Sequence, residues 1–224
     1  MNPRIAVLTL TRDRLAYTTH CFETLRARSG CEFDWYVVDQ GSTDGTREWL
    51  EEQDDITSVL LDDNIGICRG LNLLLDTTVD QCDYDVLVRF DNDCEVVTPD
   101  TLRTVAHVAW RHDAIVAPRV HGLNQPPATI RTIQVGDHRL DETQILGGIF
   151  MAIPVGVFLL GFRYDERNPA WTGDEAVVPW WRHRNGKAGY LRGFEVNHYL
   201  TTDGQRRDLP GYFERKDREA AVTA

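Results

Sequence analysis

Neither a Cys-x-x-Cys pair nor a Cys/His spacing of zinc-site type occurs in this 224-residue sequence. Its five cysteines, Cys21, Cys31, Cys68, Cys82 and Cys94, are odd in number and scattered through apparent core segments. They read as reduced thiols in a cytoplasm-like compartment. Positive charge is in short supply. Lys+Arg 24 against Asp+Glu 35 leaves a net charge of -11, so the broad basic field that duplex nucleic acid demands is missing and no nucleic-acid partner is expected. A charged n-region with a small-residue cleavage site is absent as well: MNPRIAVLTL moves straight into a strand-like run, which predicts no signal peptide. There is no internal repeat and no low-complexity tract. One uncharged stretch, Ile145–Phe162, approaches the ~20 residues that a membrane helix needs. It carries four Gly and one Pro, so it predicts a buried strand, a turn and a short helix, and no transmembrane segment.

With 42% hydrophobic and 26% charged residues, the chain suits one large α/β domain with an ordinary polar surface. Short apolar runs alternate with helical patterns. Ile5–Leu10, Trp35–Val38, Thr57–Leu61 and Asp85–Phe90 read as strands, with helices over Leu15–Arg28, Thr43–Gln53 and Cys68–Leu75 between them. Ser42 or Thr43 caps the second helix. Strands that lack polar alternation and are separated by helices predict a mostly parallel sheet covered on both faces. Further on, Thr98-Pro99-Asp100 starts a helix with Thr98 as N-cap. Ala114–Pro118 is a strand, Val120–Gln144 a loop or β-ribbon, Asp174–Asn185 a helix and Gly189–Val196 a strand. From Asp203 the chain turns charged and loses periodicity, which reads as a mobile tail over 203–224 in preference to a functional lid.

Ligands of an open parallel sheet bind beyond the carboxyl ends of its strands. Three polar clusters follow predicted strands there: Thr9, Thr11, Arg12 and Asp13; Asp39 and Ser42; and Asp91-Asn92-Asp93. Asp91 and Asp93 point the same way if the backbone stays extended, and two adjacent carboxylates repel unless protonated or bridged by a cation. A hard divalent ion takes one or two carboxylates together with substrate phosphates. Asp-Asn-Asp is also good turn chemistry, and the residues alone leave both readings open.

The order of these segments resembles the glycosyltransferase family 2 type of the GT-A fold, over roughly Arg4 to His198. Ile5–Arg12 is similar to that family's first strand and base-binding segment. Val38-Asp39-Gln40-Gly41-Ser42-Thr43-Asp44-Gly45-Thr46 is close to its VDNGSTDGT signature, with Gln40 in place of Asn. Asn64-Ile65-Gly66 followed by Arg69, Gly70 and Asn72 is similar to its NxGxxxGxN stretch, and Asp91-Asn92-Asp93 falls at its DxD. Gly147-Gly148-Ile149-Phe150-Met151 looks like its glycine-led strand beside the acceptor. Trp171-Thr172-Gly173-Asp174-Glu175 resembles its G-E-D motif with the acids reversed, and Val196-Asn197-His198 its late histidine.

The resemblance implies a Rossmann-like sheet flanked by helices, with a smaller acceptor-side β-ribbon. It implies a domain over 1–202, with a nucleotide-binding half at 1–97 and an acceptor-binding half at 98–202. The activity implied is inverting transfer of a sugar from a UDP-, GDP- or dTDP-sugar to an acceptor hydroxyl. Thr9, Thr11, Arg12, Asp39, Ser42, Asn64, Gly66, Arg69, Asp91 and Asn92 would hold the donor, with Asp39 on the nucleobase and Arg69 on the diphosphate. Asp91, Asp93 and His198 would hold Mn²⁺ or Mg²⁺. Gly147, Gly148 and Trp171 would border the sugar and acceptor, and Asp174 or Glu175 would be the general base. Two other classes share the architecture. A sugar nucleotidyltransferase needs a Gly-rich basic loop after the first strand, where this chain reads Thr9-Leu10-Thr11-Arg12-Asp13. A non-catalytic sugar-nucleotide-binding module has no use for the acids retained at Asp91, Asp93, Asp174 and Glu175. Neither the acceptor nor an oligomeric state is named by these motifs. The expected location is cytoplasmic, with a peripheral place on a membrane-bound pathway left open.

Overall fold

Runs that are apolar on both faces form the strands of a covered parallel sheet, and four such runs build the first half of the molecule. The computed structural model describes residues 2–79, 83–123, 128–168 and 173–222, so Cys82 and Trp171 lie outside it. The strands β1 (Ile5–Thr11), β2 (Asp34–Gln40), β3 (Ile56–Leu61) and β4 (Val86–Phe90) pair parallel in the order β3-β2-β1-β4. Three helices, α1 (Leu15–Arg28), α2 (Thr46–Glu51) and α3 (Ile67–Val79), carry the chain between them. The core under α1 is aromatic. Phe22 stacks on Trp35 of β2 with ring centres 4.1 Å apart and meets Phe90 of β4 at 6.3 Å.

The second half comprises β5 (Cys94–Val96), α4 (Thr101–His112), β6 (Ala114–His121), β7 (Thr129–Val135), β8 (His138–Thr143), β9 (Phe150–Pro154), α5 (Gly156–Leu159), α6 (Val177–Arg182), β10 (Lys187–His198), α7 (Thr202–Asp208) and α8 (Pro210–Val222). Its strands extend the sheet in the order β4-β9-β6-β10-β8-β7, with β5 paired to β10 beside that path. Only β6 and β10 are parallel among these described pairs. The β7–β8 hairpin is the ribbon anticipated within 120–144. Ile145–Phe162 supplies β9 and α5, and no helix among the described residues is long and apolar enough to cross a membrane. The described thiols Cys21, Cys31, Cys68 and Cys94 are free.

Several boundaries differ from the sequence reading, each for a local reason. Gly45 takes φ 97 and Asp44 Oδ1 accepts the Thr46 N–H at 3.2 Å, so α2 begins at Thr46 rather than at Thr43. Thr98 does not cap α4. Its hydroxyl oxygen accepts the Glu195 N–H at 3.0 Å, and the helix opens after Asp100, which is left-handed at φ 59. The 174–185 segment divides into a single 3-10 turn, Asp174–Ala176, followed by α6. Most unlike its reading, 203–222 is helical. Thr201 Oγ1 accepts the Gly204 N–H at 3.2 Å to start α7, and Tyr212 and Phe213 of α8 are buried. That apolar face is narrow, and charged neighbours hide it.

Replacing Phe22 by Ala removes an unexposed ring from the α1–β2–β4 core. It lowers the unfolding free energy in urea by about 3–5 kcal/mol; a loss below about 1 kcal/mol means that this aromatic stack is not what holds α1 to the sheet.

Candidate active site

The chain leaves β1 through two consecutive left-handed residues, Asp13 at φ 51 and Arg14 at φ 66. Non-glycine residues rarely adopt that conformation, so something must hold it. The Asp13 N–H donates to Ser42 Oγ at 2.7 Å. The Asp13 carboxylate accepts the Thr43 N–H at 2.9 Å and Arg215 Nη2 at 2.7 Å. Ser42 is itself fixed by Asp39. Asp39 is fully buried, and its oxygens accept the Ser42 N–H at 3.0 Å, Thr11 Oγ1 at 3.0 Å and the Ser42 hydroxyl. Thr9 is buried one strand position deeper, where its hydroxyl accepts the Trp35 indole N–H at 3.0 Å. Thr9, Asp39 and Ser42 therefore brace the strand ends from beneath, while Thr11 and Arg12 line the cavity above them.

This bracing aims Arg14 at the Asp91-Asn92-Asp93 turn. Arg14 donates to Asp93 Oδ2 at 2.9 Å and to Asn92 Oδ1 at 2.5 Å, while Asn92 Nδ2 donates to Thr18 Oγ1 at 2.9 Å. Pairing of β5 with β10 sets His198 opposite Cys94, and His198 Nε2 lies 3.4 Å from Asp93 Oδ2. Gln205 of α7 donates to the same oxygen at 3.3 Å. Burial would raise the Asp93 carboxyl, but the Arg14 guanidinium and His198 outweigh it and hold the group far below the usual carboxylate range. Burial likewise works against the Arg14 charge, and Asp93 overrides it. Asp91 pairs with Arg89 of β4 at 3.2 Å. Arg89 is itself buried, and a Cβ on Gly148 would lie 2.0 Å from its Nη1, so any larger residue there would make the guanidinium shift from its present place beside Asp91.

The resulting cavity, about 280 Å³, is lined by Arg12, Arg14, Arg89 and Lys216 together with Asp91, Asp93 and His198. Gln40, the departure from the signature, lines it too. Oxygen donors and an imidazole suit Mn²⁺ or Mg²⁺ in kind, and the buried His198 Nδ1 has no hydrogen-bond partner. Among the described residues, however, no three such side chains converge as a ready metal cluster. Arg14 and Arg89 hold the two carboxylates instead.

Other anticipated residues sit further out. Asn64 Oδ1 accepts the Gly66 N–H at 3.0 Å in a turn that opens α3, and Arg69 is mostly exposed, 3.9 Å from Glu166. A Cβ on Gly147 would lie 3.9 Å from Leu123 Cδ1, an ordinary van der Waals contact. Glu175 is exposed on the 3-10 turn, and Gly173 just before it packs on Cys68, next to the cavity residue Ile67. Arg14, Arg89, Gln205, Tyr212 and Lys216 line the cavity without having been singled out. Arg89 had a signal, a lone charge inside the apolar run Val86-Leu87-Val88-Arg89-Phe90. Tyr212 and Lys216 had a weaker one, four residues apart on one helical face.

The model of a protein family described as glycosyl transferase family 2 matches residues 6–167. The chain belongs to glycosyl transferase family 2. Among solved structures, the fold of this family 2 chain is similar to that of a mannosyltransferase, PcManGT of Pyrobaculum calidifontis, in complex with GDP-Man and Mn²⁺. The TM-score is 0.69 at 17% identity, over 91% of this chain and 59% of that one. GalNAc-T7 with UDP, GalNAc and Mn²⁺ gives 0.69 at 13% identity, over 91% and 45%. S. aureus TarS 1-349 with UDP gives 0.66 at 16% identity, over 87% and 60%. The chain thus spans about half of the length of these structures, and at such identities the likeness is one of fold. No curated protein sequence matches it significantly.

The side chains of Arg14 and Asp93 are 12% and 11% exposed, so each needs the other's charge. Asp93→Asn leaves the guanidinium without its carboxylate and costs about 3–5 kcal/mol in urea unfolding without metal. Arg14→Ala with Asp93→Asn then costs at least ~1 kcal/mol less than the two single changes summed. Strict additivity would show that the two groups do not depend on each other.

Proposed function

We propose that this chain is an inverting glycosyltransferase that moves a sugar from a nucleotide-diphosphate donor to an acceptor hydroxyl. The observation that carries the reading is the cavity at the carboxyl edge of β1, β2 and β4. There a family 2 chain gathers Arg12, Arg14, Arg89 and Lys216 around Asp91, Asp93 and His198. Thr11 and Arg12 border the nucleotide, and Asp39 and Ser42 keep the strand ends rigid beneath it. The Arg12 and Arg89 guanidinium groups oppose the diphosphate's negative charge, which grows on the leaving group as the bond to the anomeric carbon breaks. Asp91, Asp93 and His198 would hold Mn²⁺ or Mg²⁺, which supplies Lewis-acid neutralisation of that same charge.

Gly148 leaves room for Arg89 and brings the backbone close to the sugar. Asp174 or Glu175 takes the proton of the attacking hydroxyl. Their turn packs against the amino end of α3 through Gly173 and Cys68, beside the cavity rim, which supports that role. A single displacement from the face opposite the nucleotide inverts the anomeric centre. The donor is a UDP-, GDP- or dTDP-sugar.

A thermal-shift comparison of UDP-, GDP- and dTDP-sugars in Mn²⁺ should raise Tm with one donor class, by the equivalent of about 2.7 kcal/mol at a hundredfold excess over Kd. The double change Asp91→Asn, Asp93→Asn should reduce transfer roughly 100-fold or more, because the lost neutralisation is worth several kcal/mol. No shift with any of the donors would remove the basis of the reading.

A further inference from the structure

We propose that Arg14 occupies the cation position beside Asp93, and that α7 and α8 form a lid latched through it. A divalent cation and the closed lid then compete for one carboxylate. This rests on the cation reading of Asp91, Asp93 and His198 given above.

The lid makes the seat of Arg14. Gln205 Oε1 of α7 accepts from Arg14 Nη1 at 3.3 Å, and the Tyr212 ring of α8 lies 5.0 Å from the guanidinium carbon. The Gln205 amide, almost wholly buried, also donates to Asp93 at 3.3 Å and to the Tyr199 carbonyl at 2.7 Å. One residue earlier, Asp13 binds Arg215 of α8 at 2.7 Å, and the Tyr17 hydroxyl donates to Asp208 at the end of α7. The turn after β1 and the first turn of α1 are therefore joined to the lid at Asp13, Arg14 and Tyr17, and the middle contact ends on Asp93.

Seating Arg14 on Asp93 in the closed arrangement carries costs. Asp13 and Arg14 are both left-handed, a conformation worth of order 1–3 kcal/mol of strain per residue. Arg14 Nε is buried without a hydrogen-bond partner. The cavity of about 280 Å³ stands at the lower edge of the roughly 300–1,000 Å³ of small-molecule sites, and a nucleotide sugar is a large ligand. Tyr212, Phe213 and Lys216 of α8 form part of its wall.

Two cations cannot share Asp93 Oδ2 at contact distance without strong repulsion in so buried a place. When a divalent cation binds there Arg14 must withdraw, and Gln205 and Tyr212 lose their partner. The coupling is reciprocal: whatever loosens the lid tightens cation binding by the same factor.

The test reads Mn²⁺ affinity of the full chain by the electron paramagnetic resonance of free Mn²⁺, and lid opening by trypsin cleavage at Arg206, Arg207, Arg215, Lys216 and Arg218. Neither readout needs turnover. Arg14→Ala should bind Mn²⁺ about 5- to 100-fold more tightly than the parent, the usual span of such couplings, and be cut faster without metal. Mn²⁺ should speed cleavage of the parent lid. Gln205→Ala and Tyr212→Ala, which keep the Arg14–Asp93 pair, should shift both readouts the same way and serve if Arg14→Ala does not fold. Equal Mn²⁺ affinity in parent and variants, or a lid whose cleavage Mn²⁺ leaves unchanged, overturns the latch while the cation reading stands. Absence of Mn²⁺ binding in the parent and in every variant overturns both.

Discussion

The contact between the Arg14 guanidinium and the Asp93 carboxylate sits where the two halves of the sheet and the last two helices meet. Both groups are withdrawn from water, and a charge so placed is tolerated only with a partner and a full set of hydrogen bonds. That requirement dictates much around it. It needs the left-handed turn at Asp13–Arg14, which the Ser42–Asp39 network braces. It needs the β5–β10 pairing that brings His198 to Asp93, and it draws Gln205 in from α7. A buried pair of this kind adds little net stability compared with a well-packed apolar contact, yet it penalises every arrangement that separates its members.

Around this contact the carboxyl edge of the sheet is layered. The lower layer, Thr9, Asp39 and Ser42, is buried and saturated by hydrogen bonds within the protein. The upper layer, Thr11, Arg12, Arg14, Arg89, Asp91 and Asp93, faces the cavity. Rigid support below and charge above is the arrangement that electrostatic stabilisation of a leaving group requires, because preorganised groups need not reorient as charge develops. The solved glycosyltransferases share the fold at 13–17% identity. The fold is thus kept while most side chains change, and the chemistry of any one chain has to be argued from its own residues.

Local pattern was enough for the parallel strands β1 to β4, for α1 and α3, and for the strand-and-turn nature of 145–162. Burial on both faces writes itself into continuous apolar runs, and glycine and proline mark where those runs stop. Helix starts were less legible. Thr98 carries good capping chemistry, but its hydroxyl is engaged by Glu195, nearly a hundred positions away, and no local rule sees that bond. The tail misled for the same reason: Tyr212 packs over Arg14, remote in sequence, while Arg206, Arg207 and Asp208 just before it are charged.

By itself the sequence determined the parallel half of the sheet, the family, and the acidic triplet at a strand's end, since each depends on neighbours within a few residues. Only the tertiary structure decided what the triplet touches. Asp91 and Asp93 looked like two free carboxylates awaiting a cation, and each instead meets an arginine, Arg89 at 3.2 Å and Arg14 at 2.9 Å. Arg89 is close in the chain and was visible as a charge in an apolar strand. Arg14 is not: it reaches Asp93 because parallel pairing sets the ends of β1 and β4 side by side, and because Gln205 and Tyr212 arrive from the far end of the chain to enclose it. Spacing along a sequence carries no record of such distances, and electrostatics acts through space.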